Sequence, residues 1–154
     1  MTPRFIDYYM DIAERTAQLS RARRLKVGAI IVKDDRIISI GFNGTPAGWD
    51  NDCEDEIPIS PWPEESEKAL DATYTLKTKP EVIHAESNSI SKLARGPESG
   101  LDSTMFVTHS PCLDCAKLIY QSGISTVYYK NNYRDSSGVD FLIRCGVKTH
   151  PCHM

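Results

Sequence analysis

Segments with helical periodicity alternate along this chain with short runs of β-branched residues, and this alternation constrains the fold more than any other feature. Over residues 3–20 apolar side chains recur every three or four positions, which is typical of an amphipathic helix. The β-branched runs 27–32 and 36–40 flank Asp34-Asp35 and predict a hairpin. The remaining predicted elements are a helix at 84–95, a strand at 104–109, a helix from 110 to 123, a strand at 126–130, a helix at 139–145 and a strand at 147–149. This order predicts an α/β layer fold with a largely buried sheet.

Residues that favour helix ends limit two of these helices. Ser110 is expected to cap the helix that follows the third predicted strand, and Gly123 is expected to end it. Thr78 and Glu81 have the spacing of a capping box, so the helix that carries His84 could begin before that residue.

Length and composition limit the classes of protein to which the chain can belong. Its 154 residues, 40% hydrophobic and 25% charged, fit one compact domain over residues 1–154 and argue against global disorder. No run approaches the ~20 apolar residues of a membrane span, and the N-terminus lacks the apolar centre of a signal peptide. We therefore expect a soluble, cytoplasmic protein without a membrane partner. The net charge of −3 argues against a surface built to bind a polynucleotide.

An acidic segment interrupts the alternation. Residues 50–67 contain eight of the chain's 21 acidic residues, three prolines and no Lys or Arg. We predict a surface excursion without regular structure there, within an insertion that spans about residues 50–80.

The pair Cys112 and Cys115 is the first feature that indicates chemistry. Three positions apart at a predicted helix start, the two thiols lie on one face of the helix, where free backbone N–H groups and the helix dipole favour thiolates. In a chain with five cysteines and no secretion signal, such a pair indicates metal or redox chemistry before a disulfide framework. From the pair alone, a zinc site and a redox dithiol remain alternatives.

The tripeptide His84-Ala85-Glu86 favours the metal interpretation. At a helix start His84 can bind a metal while the side chain of Glu86 turns toward the same site without ligating it. Three protein ligands, His84, Cys112 and Cys115, leave one position open, which is typical of a catalytic zinc site. Glu86 would then act as general acid and base. A His-x-Glu followed by Pro-Cys-x-x-Cys is the signature of zinc deaminases.

Beyond this signature, the chain resembles the deoxycytidylate (dCMP) deaminases of the cytidine deaminase superfamily, phage enzymes included, over nearly its whole length. The resemblance rests on Val27-Gly28-Ala29, Gly41-Phe42-Asn43-Gly44-Thr45-Pro46, His84-Ala85-Glu86 with Asn88, residues 108–117, and Gln121-Ser122-Gly123-Ile124. It implies a three-layer α-β-α fold with a five-stranded mixed sheet and zinc held between the N-termini of two helices. It also implies hydrolysis of dCMP to dUMP with release of ammonia, which would supply dUMP for dTMP synthesis.

The resemblance further implies roles for single residues. It assigns the proton shuttle to Glu86 and a contact between the Ala85 N–H and the pyrimidine O2. The carbonyl of Ser110 would receive the departing amine, and Asn43 would lie at the sugar. The segment before Val27 lacks a cysteine that relatives often use in a second, structural zinc site, so we expect one zinc ion per subunit.

Phosphate groups need cationic partners, and four of the seven residues from Ser20 to Lys26 are cationic. Lys26 is a candidate for the substrate phosphate, and Tyr133 for the base or the phosphate. The family is commonly hexameric, activated by dCTP and inhibited by dTTP. Candidates for contacts with such an effector are Arg21, Arg24 and Gly44. The simpler interpretation of the cations is a solvated helix end, and carboxylates of the acidic segment would suit Mg²⁺ if they met a triphosphate.

Two other functions stay open at this point. A deaminase of bases within RNA or DNA would present an extended basic face, which the acidic segment disfavours. A binding module with a structural zinc ion would complete the three ligands with Cys152 or His153 and would leave Glu86 without a use.

Overall fold

Strands and helices alternate in the computed structural model, as predicted, and the structure describes residues 1–58 and 74–152. In chain order the elements are α1 (Pro3–Ala17), β1 (Gly28–Lys33), β2 (Arg36–Phe42), β3 (Glu54–Pro58), β4 (Tyr74–Thr78), α2 (Ala85–Ala94), β5 (Thr104–His109), α3 (Leu113–Gln121), β6 (Thr126–Asn131), α4 (Ser137–Arg144) and β7 (Lys148–Pro151). Apart from the differences given below, the predicted boundaries agree with these to within two residues.

Five strands form one mixed sheet in the order β2-β1-β5-β6-β7. β1 runs antiparallel to both β2 and β5, whereas β5, β6 and β7 are parallel. Because β1 is antiparallel to β5, the start of β1 and the end of β5 lie at the same edge of the sheet. The pairing of Gly28 with Phe42 brings the end of β2 to that edge as well. Three segments therefore meet at this edge of the sheet: the one before Gly28, the one after Phe42 and the one after His109.

Helices cover both faces of the sheet. On one face, Met10 of α1 packs in a core with Ile30 and Phe106. On the other face, α2, α3 and α4 each contribute a side chain to a second core, namely Leu93, Ile119 and Leu142. β1 is buried along nearly its whole length, since its alternating side chains enter the two cores in turn. The predicted three-layer α-β-α fold is confirmed.

The acidic segment contains a strand, so the prediction of no regular structure over residues 50–67 is wrong at β3. β3 pairs antiparallel with β4 in a two-stranded ribbon separate from the main sheet. Its acidic side chains do not prevent pairing, because Asp55 and Glu56 are exposed to water and Glu54 is hydrogen-bonded. Residues 59–67 of the predicted excursion lie outside the described residues.

The ribbon is closed at its base. The Lys79 N–H donates a hydrogen bond of 2.8 Å to the carbonyl oxygen of Cys53. The Lys79 Nζ atom also lies 3.2 Å from a carboxylate oxygen of Asp52. The chain therefore leaves and re-enters the main body of the protein at one point.

α3 begins later than predicted. Its first residue is Leu113 and its N-cap is Cys112, so Ser110 does not cap it. Ser110 is used in tertiary contacts instead, because its hydroxyl oxygen accepts a hydrogen bond of 2.7 Å from the Tyr133 N–H. Gly123 follows the helix with a φ of +89°, which confirms it as the helix end.

The limits of α1 and α2 also differ from expectation. α1 ends at Ala17 instead of residue 20. α2 begins at Ala85 with His84 as its N-cap, and the expected capping box does not form, because Thr78 is the last residue of β4. Within the described ranges, no helix is long and apolar enough to cross a membrane.

Candidate active site

Two helix N-termini meet at the sheet edge where β1 begins and β5 ends. His84 immediately precedes α2, and Cys112 immediately precedes α3, with Cys115 in the first turn of α3. The ligand atoms of these three residues all lie within 4.8 Å of one another. The predicted cluster is therefore confirmed, and in the described part of the chain no other group of three His, Cys, Asp or Glu residues has this geometry.

The donor atoms are spaced as a tetrahedral zinc ion requires. The His84 Nδ1 atom lies 3.6 Å from the Cys112 Sγ atom and 3.4 Å from the Cys115 Sγ atom. With Zn–N and Zn–S distances of about 2.0 and 2.3 Å, tetrahedral coordination separates a nitrogen from a sulfur by about 3.5 Å. Thiolate and imidazole are also the donors that zinc prefers. The cluster therefore fits one zinc ion and leaves one coordination position for a ligand from outside the protein.

The surroundings of Cys112 and Cys115 favour a negative charge on the pair, which suits a bound cation. Hydrogen bonds with Cys115 and His84 lower the pKa of Cys112 to about 4, and the start of α3 favours the thiolate. The hydrogen bond with Cys112 and burial raise the pKa of Cys115, so this thiol keeps its proton and shares it in a hydrogen bond with the Cys112 thiolate. The Ser87 hydroxyl lies 3.3 Å from the Cys115 Sγ atom. A bound cation would take the place of the shared proton.

Glu86 is the second residue of α2 and is only 5% exposed. Desolvation raises the pKa of its carboxyl group to about 7. A general acid and base is most efficient when its pKa lies near the working pH. Glu86 lines one pocket with His84 and Cys112 without being part of the ligand cluster. Its environment is therefore suited to proton transfer next to a metal.

The pocket opens at the same sheet edge and collects most of the residues singled out from the sequence. Those in its lining are Arg24, Asn43, His84, Ala85, Glu86, Ser110, Cys112 and Tyr133. Cys115 is buried behind them. The lining places Arg24, a candidate for effector contacts, beside the candidates for substrate contacts.

Besides the buried Cys115, three candidates lie outside this lining. Arg21 and Lys26 are exposed in the segment between α1 and β1. Gly44 forms two backbone hydrogen bonds with Ile83, of 3.1 and 2.8 Å, and so ties the loop after β2 to the residue that precedes His84. Binding of phosphate by Arg21 or Lys26, and contact of an effector with Gly44, stay predictions.

The side chain of Asn43 stabilises one wall of the pocket through two hydrogen bonds with the backbone. Its Nδ2 atom donates a hydrogen bond of 2.8 Å to the Leu25 carbonyl, and its Oδ1 atom accepts one of 2.8 Å from the Val27 N–H. The amide keeps one N–H and one lone pair for another partner. Asn43 thus positions the segment before β1 and retains the groups that its predicted contact with the sugar requires.

His109 is a lining residue that the sequence reasoning missed. It is half-buried at the end of β5, and burial lowers the pKa of its imidazole, so the ring is neutral at neutral pH. Its Nδ1 atom lies 3.0 Å from the Thr108 hydroxyl, which accepts a hydrogen bond from the Gly28 N–H. Its place at the carboxyl end of a parallel strand, directly before Ser110, is the signal that could have found it.

The alternative of a structural zinc ion completed by Cys152 is wrong. Cys152 is buried with Tyr9 and Phe106 on the α1 face of the sheet, away from the cluster between α2 and α3. His153 lies outside the described residues. The three ligands therefore have no fourth protein donor in the described ranges.

The cluster predicts zinc content. We expect one zinc ion per chain, and we expect Cys112→Ser and Cys115→Ser to lose it to a chelator at concentrations at which the wild type retains it, because each variant lacks one thiolate ligand. Metal analysis after dialysis measures this. Cys145→Ser, which alters a half-buried cysteine outside the cluster, should behave as the wild type. Two zinc ions per chain, one of them lost in Cys53→Ser, would contradict a single site.

Comparisons with known proteins agree with this geometry. Residues 3–131 match the family model for the cytidine and deoxycytidylate deaminase zinc-binding region. The deoxycytidylate deaminase of Enterobacteria phage T2 is 35% identical, over 88% of this chain and 85% of the relative. The deoxycytidylate deaminase of Homo sapiens is 38% identical, over 84% of this chain and 67% of the relative. A crystal structure of dCMP deaminase from the cyanophage S-TIM5, in complex with dCMP and dUMP, matches with a TM-score of 0.83 at 40% identity and covers 99% of both chains.

The residues that match the family model include those of the site. The matched residues include the whole His-Cys-Cys cluster and the buried carboxyl of Glu86. This chain belongs to the cytidine and deoxycytidylate deaminase family.

Proposed function

We propose that this protein is a zinc-dependent enzyme that hydrolyses dCMP to dUMP and ammonia, and so supplies dUMP for dTMP synthesis. The observation that carries the proposal is the buried carboxyl of Glu86 in one pocket with a His-Cys-Cys cluster that fits zinc. The 40% identity with an enzyme solved with dCMP and dUMP supports the choice of substrate.

Glu86 moves the protons of the reaction. Zinc, when bound, supplies the Lewis acidity that makes water a nucleophile at neutral pH. The Glu86 carboxylate accepts a proton from the attacking water and delivers it to N3 of the cytosine. It then takes the second proton of that water from the new hydroxyl on C4 and delivers it to the amine that leaves C4. One water is consumed and one ammonia released, so Glu86 returns to its starting protonation state.

Other lining residues orient the nucleotide. Ala85 is the first residue of α2, so its N–H has no partner within the helix and can donate to the pyrimidine O2. The carbonyl of Ser110 accepts a hydrogen bond from the departing amine. Asn43 meets the sugar, and the Tyr133 side chain meets the base or the phosphate.

Regulation and assembly are part of the proposal and rest on the family resemblance. We infer activation by dCTP, accompanied by Mg²⁺, inhibition by dTTP, a homo-hexamer, and action in the cytoplasm, that of the host if the chain is of phage origin. Within the described residues, the acidic segment does not itself gather three metal ligands. Any Mg²⁺ would therefore need the phosphate oxygens of the effector.

A substrate comparison tests the function. The assay follows the loss of cytosine absorbance with zinc-loaded protein. We expect turnover of dCMP but not of deoxycytidine, which lacks the phosphate of the proposed substrate. We also expect none of a cytosine-containing oligonucleotide, because the net charge of −3 is unlike that of a polynucleotide-binding protein. The same assay with dCTP and Mg²⁺, or with dTTP, tests regulation. Turnover of the oligonucleotide and not of dCMP would contradict the proposal. So would the absence of all turnover in protein that holds zinc, with and without dCTP.

A further inference from the structure

A buried carboxylate lies outside the metal cluster, at the start of the β3–β4 ribbon. The side chain of Glu54 is 2% exposed. A buried carboxylate is stable only when its oxygens are hydrogen-bonded or paired. One Glu54 oxygen accepts hydrogen bonds from two successive backbone N–H groups, those of Arg23 at 3.0 Å and Arg24 at 2.9 Å. The other oxygen lies 3.9 Å from the Nε atom of Arg23.

These two N–H groups belong to the segment between α1 and β1, which has no regular structure and forms one wall of the pocket. The side chains of Asn43 and Glu54, from elsewhere in the chain, bind the backbone of this segment. Asn43 binds it at Leu25 and Val27, next to β1. Glu54 binds it at Arg23 and Arg24, farther from the sheet, where no strand supports the backbone.

The contact of Glu54 with this backbone matters because Arg24 lines the pocket. Among the described residues that line the pocket, Arg24 is the only lysine or arginine. A nucleotide substrate brings a phosphate dianion into the pocket, and a guanidinium can bind phosphate oxygens with two parallel hydrogen bonds. Such binding requires that the backbone at Arg24 is fixed, since the side chain itself is long and exposed.

We propose that Glu54 is a positioning residue for the substrate phosphate: its buried carboxylate fixes the backbone of residues 23 and 24 so that Arg24 faces the nucleotide. The inference rests on the proposed function. It also gives the acidic ribbon a part in substrate binding, since β3 carries the carboxylate that supports the pocket wall.

The test is a set of steady-state kinetic measurements on dCMP with zinc-loaded protein. We expect E54A to raise KM by roughly 10- to 100-fold, the effect of losing one hydrogen-bonded charge pair, with kcat changed far less and zinc content unchanged. E54Q, which keeps one carbonyl acceptor for the two N–H groups, should give a smaller rise. E56Q is the matched control, because Glu56 pairs with the Arg23 Nη1 atom at 3.1 Å on the exposed side of the ribbon.

A double-mutant cycle separates positioning from a general loss of structure. R24A should raise KM as E54A does, and R24A combined with E54A should be no worse than R24A alone, because both changes remove the same contact. Fully additive effects, a wild-type KM in both Glu54 variants, or a loss of kcat and zinc at unchanged KM would each overturn the inference. If E54A fails to fold, E54Q and the cycle built on it decide. A wild type without dCMP turnover would contradict the proposed function instead.

Discussion

Replacing Glu86 with glutamine is expected to lower kcat for dCMP by about 10²–10⁴-fold while one zinc ion per chain is retained. Glutamine has nearly the same shape, but it cannot take a proton from water and pass it to the base. Glu86 is not one of the cluster ligands, so metal content should not change. Because burial already raises the pKa of this carboxyl to about 7, the neutral amide should not destabilise the fold.

Steady-state kinetics and metal analysis on the same preparation measure both parts of this prediction. Glu81→Gln is the matched control, since Glu81 is exposed and lies outside the pocket lining. Wild-type kcat in Glu86→Gln would show that another group moves the protons. Loss of zinc together with activity would show that Glu86 supports the metal site instead.

Gly138→Ala should damage both stability and the metal site. Gly138 lies in the first turn of α4, and a Cβ atom there would overlap the Pro111 carbonyl oxygen and lie 2.7 and 2.8 Å from the carbonyl carbon and oxygen of Cys112. All three are backbone atoms, so α4 or the segment that carries Cys112 must move. We expect the free energy of unfolding to fall by about 1–3 kcal/mol, as in other overpacked sites, and zinc to be lost more readily.

Thermal unfolding and zinc retention against a chelator measure this effect. Gly96→Ala is the matched control, because a Cβ atom at Gly96 would come no closer than 3.7 Å to its nearest neighbour, the Lys92 carbonyl oxygen. A Gly138→Ala variant with the melting temperature and zinc retention of the wild type would show that α4 does not constrain Cys112.

The metal cluster could be predicted because each of the two motifs that form it is local in sequence. Cys112 and Cys115 are one helical turn apart, and His84 opens a helix two positions before Glu86. Helix geometry and ligand preference then leave few arrangements. The alternation of β-branched and amphipathic segments likewise predicted an α/β layer fold. The three layers and the five-stranded mixed sheet were implied by the resemblance to the dCMP deaminases.

The features that escaped prediction depend on contacts distant in sequence. β3 pairs with a strand about 20 residues later, and its acidic composition carries no strand signal of its own. Ser110 has the residue type of a helix cap, but a tertiary hydrogen bond from Tyr133 uses its hydroxyl. His109 lines a pocket whose other residues come from distant parts of the chain, and Glu54 accepts a hydrogen bond from the Arg24 N–H, 30 residues earlier. Secondary-structure propensity depends on residues that are adjacent in sequence, so it cannot predict contacts between distant parts of the chain.

The closed base of the β3–β4 ribbon should allow the length of the chain between the two strands to vary among members of this family. Cys53 and Lys79 are joined by a backbone hydrogen bond, so residues can be added or removed between the two strands without displacing the chain at either side. Each doubling of such a connection costs only about 0.6 kcal/mol in closure entropy. Insertions and deletions should therefore accumulate beyond the first strand of the ribbon, whereas the spacing from Asn43 to Glu54 should stay constant, because both residues hold the same pocket wall.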